Sequence, residues 1–374
     1  LDIHKQLNRE QDVANLWDSI SECYRDLSKY EQAIECLQNC LQMNQRLNNH
    51  LNIAFAHLLL GRIYQEWGKY EQAISYYQQS RGMCEQLNRE QVVANQWGWM
   101  SNCYRNWGKY KQAIECMQNC LQMNQRLDNQ PDIALAYSAI GHIYQEWDKY
   151  EEAISYYQQS SQLYEQLGRE QDVANQLYNL ANCYQNLKDY NKAINYYHQS
   201  YDLHSSLGDN KSVAIRYRRL AYTQSLLARN VEDTTQAFDL LAQAEQNIYK
   251  AMQINTAGAY TKNLAYDYIA LSLLISERLR LLPNNDLSLQ EQIAQFEHNY
   301  NIAFSYFDEL GQTVNKADEA LNIARAYLEV GTLENLEFAE QLAQESLTVF
   351  QEYNRRKLEA SAYKLLGEIY LKRR

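Results

Sequence analysis

Proline and glycine are scarce, 2 and 12 in 374 residues. That supply cannot punctuate a β-sandwich or a βαβ fold, which need a turn residue roughly every ten positions. No apolar run approaches the ~18 residues of a membrane span, and no signal peptide opens the chain, so no membrane partner is expected. Positive charge is also short: 35 Lys and Arg face 46 Asp and Glu, a net charge of −11. Binding to nucleic acid, which rests on neutralising phosphates, is not expected either. The phosphate loops GxGxxG and GxxxxGKS/T are missing, as are HExxH and CxxC. Eight cysteines in so long a chain are too sparse for a small disulfide scaffold and point to a reducing, cytoplasmic setting. What is abundant is Ala, Leu, Gln and Glu, a helical bias.

The chain repeats itself every 40 residues. Lys-Tyr occurs at 29–30, 69–70, 109–110 and 149–150, with Asp189-Tyr190 in the fifth place. Tyr24, Tyr64, Tyr104, Tyr144 and Tyr184 precede these pairs, and Ala33, Ala73, Ala113, Ala153 and Ala193 follow them. Trp17, Ile20, Tyr24 and Leu27 share one helical face, and Tyr30, Ala33, Ile34, Leu37 and Leu41 share another. The break between them falls at Ser28-Lys29, and at Gly68 and Gly108 in later units. Glycine there can take the left-handed conformation that ends a helix. Each unit is thus a helical hairpin. One hairpin cannot bury its apolar faces alone, so neighbours must stack.

These positions resemble the tetratricopeptide repeat. Trp17, Ile20, Ser21 and Tyr24, then Trp97, Met100, Ser101 and Tyr104, then Tyr137, Ile140, Gly141 and Tyr144 match its first-helix signature. Ala33, Leu37 and Cys40, and Ala73, Tyr77 and Ser80, match its second helix. The 40-residue unit is similar to that of Pins-type adaptors, kinesin light chains and cyanobacterial signalling proteins. The resemblance implies an all-α, right-handed superhelix of about eight to nine antiparallel helix pairs whose first helices line a concave groove. It is strongest over residues 1–208. Residues 209–374 read as divergent helical repeats continuing the solenoid, including a long hairpin over 260–282 and 288–310 around Pro283-Asn284-Asn285. Residues 1–8 read as the end of a second helix and 363–370 restart a first one, so a fragment of a longer protein is expected.

Units 1 and 3 are near copies, as are units 2 and 4. Over the first helix, 9 of 18 positions differ between 11–28 and 91–108; over the second, 2 of 19 differ between 29–47 and 109–127. The second pair gives 9 of 18 and 5 of 19. Asp18, Glu22 and Asp26 become Gly98, Asn102 and Asn106, and Leu58 and Arg62 become Ser138 and His142. Most of these share one helix face. Drift of a solvated surface would also vary it, but the exposed face of the second helix has hardly changed.

The groove implied by the resemblance reads out as three registers. The ninth first-helix position runs Glu22, Arg62, Asn102, His142, Asn182. The twelfth runs Arg25, Gln65, Arg105, Gln145, Gln185, and the second carries Asn15, Asn95 and Asn175 in alternate units. Tyr178 takes the fifth position of the fifth unit. Amides offer donor and acceptor to a peptide backbone, and arginines suit carboxylates. The segment 211–230 holds Lys211, Arg216, Arg218, Arg219 and Arg229 without an acidic residue, a local basic patch. The cysteines fall in core slots, and paired tyrosines such as Tyr76-Tyr77 should place one ring in the core and its neighbour towards the next hairpin. No catalytic constellation, cofactor or metal site is expected. The reading is a non-enzymatic module that binds a protein or extended peptide, or another domain of the same full-length protein. It is either the sensor of a larger signalling or defence protein or a constitutive scaffold.

Overall fold

The computed structural model describes residues 2–283, 286–330, 335–353 and 355–373, with side chains from residue 9 onward. Asn284 and Asn285 of the expected 283–285 turn lie outside the described residues. Among those described there are seventeen helices and no strand. The first eight are α1 (Asp2–Asp26), α2 (Tyr30–Arg46), α3 (His50–Glu66), α4 (Tyr70–Gln86), α5 (Glu90–Asn106), α6 (Tyr110–Arg126), α7 (Gln130–Glu146) and α8 (Tyr150–Gln166). Helix α9 (Glu170–Asn186) contains the point where the chain divides into two compact units, residues 1–176 and 177–374. Then come α10 (Tyr190–Ser206), α11 (Asn210–Ala228), α12 (Thr234–Ala257), α13 (Thr261–Leu281), α14 (Leu289–Glu309), α15 (Thr313–Glu329), α16 (Leu336–Glu352) and α17 (Arg356–Lys372). Each unit is a solenoid of antiparallel helix pairs.

Helices α2 to α10 are 17 residues each with three-residue links, so the structural period is 20, half the sequence repeat. Every link holds one left-handed residue: Ser28, Gly68, Gly108, Asp148 and Lys188 within hairpins, and Asn48, Asn88, Asp128, Gly168 and Gly208 between them. At Gly68 the amide N–H bonds Gln65 O at 3.0 Å, and that of Lys69 bonds Tyr64 O at 2.8 Å. This paired closure satisfies the last carbonyls of α3 and reverses the chain.

In residues 1–176 the core lies between hairpins. Ala33, Ile34 and Leu37 of α2 meet Leu60 and Ile63 of α3, and Ala113, Ile114 and Met117 of α6 meet Ala136, Ile140 and Ile143 of α7. Burying a leucine such as Leu37 contributes about 1.5–3 kcal/mol. Small residues let helices approach: Ser80 Oγ donates to Ala54 O at 2.6 Å, and Ser160 Oγ to Ala134 O at 2.8 Å. In residues 177–374 Ala181, Ala193, Tyr197 and Leu220 form a small core, a larger one runs from Ala221 to Ile369, and α11, α13, α15 and α17 touch in succession.

Three details differ from the sequence reading. Helix α1 runs unbroken through residues 2–26, although the repeat places a turn near Asn8. Tyr76 does not reach for the next hairpin: its ring stacks on Tyr64 of its own hairpin, centroids 5.3 Å apart. The hairpin turn brings these two positions closer than any other partner. Rings Tyr30, Trp67, Tyr64 and Tyr76 form one stack, repeated 80 residues on by Tyr110, Trp147, Tyr144 and Tyr156. Cys23 is exposed, whereas the other seven cysteines are buried. In later repeats its register packs on the preceding hairpin, as Cys103 does against Gln65, and α1 has no such neighbour among the described residues.

Candidate functional site

The face considered is the row of first helices α1, α3, α5 and α7 in residues 1–176. Consecutive members are tied side by side by polar contacts. Arg25 Nε on α1 lies 3.8 Å from Glu66 on α3, and Arg105 Nε on α5 lies 3.8 Å from Glu146 on α7. Gln91 Nε2 on α5 donates to Asp132 Oδ2 on α7 at 2.9 Å, and Ser138 Oγ on α7 donates to Gln176 Oε1 on α9 at 3.2 Å. Identical helix registers therefore fall side by side from repeat to repeat.

Along each first helix, positions spaced four, three and four residues form one stripe. On α1 it is Gln11, Asn15, Asp18 and Glu22; on α5 it is Gln91, Asn95, Gly98 and Asn102. Asn15, Glu22, Asn95 and Asn106 are exposed. Asp18, Arg25, Arg62, Gln65, Asn102, Arg105, His142, Gln145 and Asn175 are half-buried, and Leu58 and Ser138 are buried. Leu58 and Ser138 thus serve packing more than recognition. Burial raises the Asp18 carboxyl above its usual value, with Glu22 adding to the effect.

Many of the amides already hold an internal partner. Tyr77 donates its hydroxyl to Gln65 Oε1 at 2.8 Å. In the next even repeat the Tyr157 hydroxyl meets Gln145 Oε1 at 2.6 Å and His142 Nδ1 at 2.9 Å. These tyrosines are fully buried, and the residue beneath each is Gly61 or Gly141. A Cβ on Gly61 would stand 2.6 Å from the Tyr77 ring, which explains glycine inside a helix there. The even repeats therefore use the twelfth position to satisfy a buried hydroxyl, leaving an amide N–H₂ as the outward group. Burial, and then Arg105, lower the His142 pKa, disfavouring the charged ring.

The arginines divide. Arg25 is countered by Asp26, Glu22 and Glu66, and Arg105 by Glu146. Arg62 forms no ion pair with any carboxylate of the described residues.

In residues 177–374 the amides behave the same way. Tyr197 donates to Asn182 Oδ1 at 2.6 Å and to Gln185 Oε1 at 3.2 Å, and Thr223 also bonds Gln185. Tyr178 is half-buried, with the Arg216 guanidinium stacked 4.4 Å from its ring centroid and Arg219 bonding its hydroxyl. The basic segment is not an open patch. Arg218 pairs with the buried Asp267 at 2.7 Å and bonds Asn263 O, and Arg229 pairs with Glu277. Its acidic partners come from α13, some 49 residues on, outside any window a local charge count covers. Arg218 is thus a core-facing ion pair and is set aside as a recognition residue.

The sequence reading missed two features. The second register carries Phe55 and Leu135 in the even repeats, exposed at 43% and 59%; their signal is the register they share with the asparagines of the odd repeats. Shallow grooves also recur between the two helices of a hairpin. One of about 280 Å³ is lined by Val93, Trp97, Asn119, Gln122, Met123 and Arg126. Its 40-residue equivalent of about 450 Å³ is lined by Ile133, Tyr137, Gln159, Gln162, Leu163 and Gln166. The buried thiols are inert, with burial pushing Cys103 and Cys116 up to about 12. Among the described residues no group of His, Cys, Asp or Glu is placed to hold a metal, and no helix is long and apolar enough to cross a membrane.

Comparison with known proteins bears on this architecture. The family model described as tetratricopeptide repeat matches residues 12–86 and 93–166, and a second of the same description matches 174–206. Among curated proteins none matches the chain. Of solved structures, a Pyrococcus horikoshii Signal Transduction ATPase with Numerous Domains (STAND) protein with a tetratricopeptide repeat sensor is 16% identical, TM-score 0.60, covering 82% of this chain and 44% of its own. Aspartyl phosphate phosphatase F from Bacillus subtilis is 16% identical, TM-score 0.58, covering 84% and 75%. BtubC from P. vanneervenii is 18% identical, TM-score 0.50, covering 62% and 92%.

Proposed function

Since the chain belongs to the tetratricopeptide-repeat family over residues 12–206, we propose that it is a protein-interaction module that holds an extended peptide segment against the first-helix face of residues 1–176. The observation that carries this is the exposed second register, Asn15, Phe55, Asn95 and Leu135, on four neighbouring helices whose other faces are packed. Exposed amides bond a peptide backbone whatever its side chains, each bond worth a net ~1 kcal/mol. Arg62, without an ion pair among the described residues, supplies a charged contact. The amides that hold Tyr77, Tyr157 and Tyr197 contribute less, because a partner would share them with a buried hydroxyl.

A sensor role within a larger signalling protein is the reading we favour for the chain as a whole. It rests on the likeness to the STAND protein with a tetratricopeptide repeat sensor and on the variation between first-helix copies. We place its action in the cytoplasm, from the sequence's cysteine usage, and read residues 209–374 as further helical repeats of the same array.

The test begins with affinity capture by the purified chain and identification of the retained protein. Titration calorimetry then compares Arg62→Ala with the parent. We expect at least a tenfold loss of affinity, with helical content and Tm unchanged because Arg62 has no internal ion pair to lose. A captured partner that binds parent and variant equally would remove this face from the account.

A further inference from the structure

The second register of residues 1–176 is an alternation. Asn15 and Asn95 are exposed amides, and Phe55 and Leu135 are exposed apolar side chains. Their neighbours extend the contrast. Helix α3 offers Leu51 and Phe55 along its stripe, and α7 offers Pro131 and Leu135. Between them α5 offers Asn95, Gly98 and Asn102. Gly98 is a hollow: a Cβ there would meet only Cys120 Sγ, at 3.9 Å. Two apolar shoulders thus flank a saddle where a backbone can lie against α5 with an amide on either side.

Resting on the peptide-binding reading above, we propose that the ligand is an extended peptide with two apolar side chains six residues apart and one acidic side chain two residues from the first, on the same side of the strand. The backbone between them crosses Gly98. The spacing follows from geometry. Side-chain contacts join α3 to α5 (Cys103 Sγ to Gln65 Oε1, 3.3 Å) and α5 to α7 (Gln91 Nε2 to Asp132 Oδ2, 2.9 Å). Helices with their side chains are about 10–12 Å across, so α3 and α7 are separated by roughly 20–24 Å. An extended chain rises about 3.3 Å per residue, which gives six or seven residues. Side chains of a strand alternate sides, so an even number is needed for both to face the helices, and six is selected.

Charge complementarity fixes the acid. Arg62 lies two helical turns from Phe55 on the same stripe of α3 and is the arginine of this face without an ionic partner among the described residues. The corresponding residue on α7 is His142, whose Nδ1 meets the Tyr157 hydroxyl. A carboxylate is therefore matched at the Phe55 end and not at the Leu135 end, which also sets the direction of the peptide.

The test is selection of phage-displayed random 16-residue peptides on the immobilised 374-residue chain. Enriched peptides should share two large apolar residues at i and i+6 with Asp or Glu two residues from one of them, on the same side of the strand. Synthetic peptides of that pattern should bind at least tenfold tighter than versions with the apolar residues at i and i+3. Gly98→Leu should abolish their binding with Tm unchanged or raised, since Leu58 fills the same register in α3. Arg62→Gln should erase the preference for the acid while keeping the apolar spacing. Enrichment of peptides with no such spacing would overturn this proposal and leave the peptide-binding reading intact. No enrichment of any sequence would overturn both. A chain that self-associates in sedimentation, and becomes monomeric as Phe55→Ser with Leu135→Ser, would assign the face to a second copy and overturn the proposal.

Discussion

At the scale of single residues, one hydrogen bond explains much of the pattern of even repeats. Tyr77 fills a slot that Leu37 and Met117 fill in odd repeats, and its hydroxyl needs an acceptor. Gln65 supplies it. Tyr77→Phe should cost about 1 kcal/mol in urea denaturation, and Gln65→Ala should add little once the hydroxyl is gone. Additive losses would mean the two side chains act independently. This pairing was not legible in the sequence, because Gln65 reads as one more polar side chain on a solvated face. Arg218 misled for a related reason: its partner Asp267 sits in an irregular helix pair where no repeat register predicts the contact. By contrast Gly98, Phe55 and Leu135 stood in plain register. What conceals them is reading alternate repeats separately, since the alternation shows only when the two sets are interleaved.

At the scale of the element, helices and turns were nearly all legible, because each turn needs a left-handed residue and glycine marks several of them. The others show what local sequence leaves open. Asn-Arg-Glu-Gln stands at both 8–11 and 88–91; the first is helical and the second begins with Asn88 at φ 54. Identical residues with different backbones mean that packing of α4 on α5, and not the tetrapeptide itself, makes the turn at Asn88. Lys188 is the turn residue least suited to its φ of 63. Lys188→Gly should stabilise the protein by about 1 kcal/mol, read as a rise in the denaturation midpoint without a change in slope. A fall in the midpoint would show that the lysine side chain contributes more than its backbone strain costs.

At the scale of the whole molecule, burial of neutral histidines makes stability depend on acid. His204 is fully enclosed, with Nδ1 3.4 Å from Asp209, and burial followed by Arg216 lowers its pKa to about 4. Burial lowers His57 as well. A folded pKa below the unfolded value means that the unfolded chain binds the proton more readily. Stability is therefore full above about pH 6.5 and declines as pH falls from there towards 4. For His204 the loss is on the order of 3 kcal/mol. Asn44 and Asn124 hold the same register, so His204→Asn should fold and show a shallower decline across that window in pH-dependent melting. An unchanged acid limb would remove His204 as its source.

The central claim is that partners meet the first helices and not the second. It is tested most directly by placing a photocrosslinking benzoylphenylalanine at exposed Asn95 on α5 or at exposed Glu115 on α6 and illuminating each with the bound partner. The account predicts a crosslinked product from position 95 and none from position 115. Crosslinking from 115 with none from 95 would contradict it.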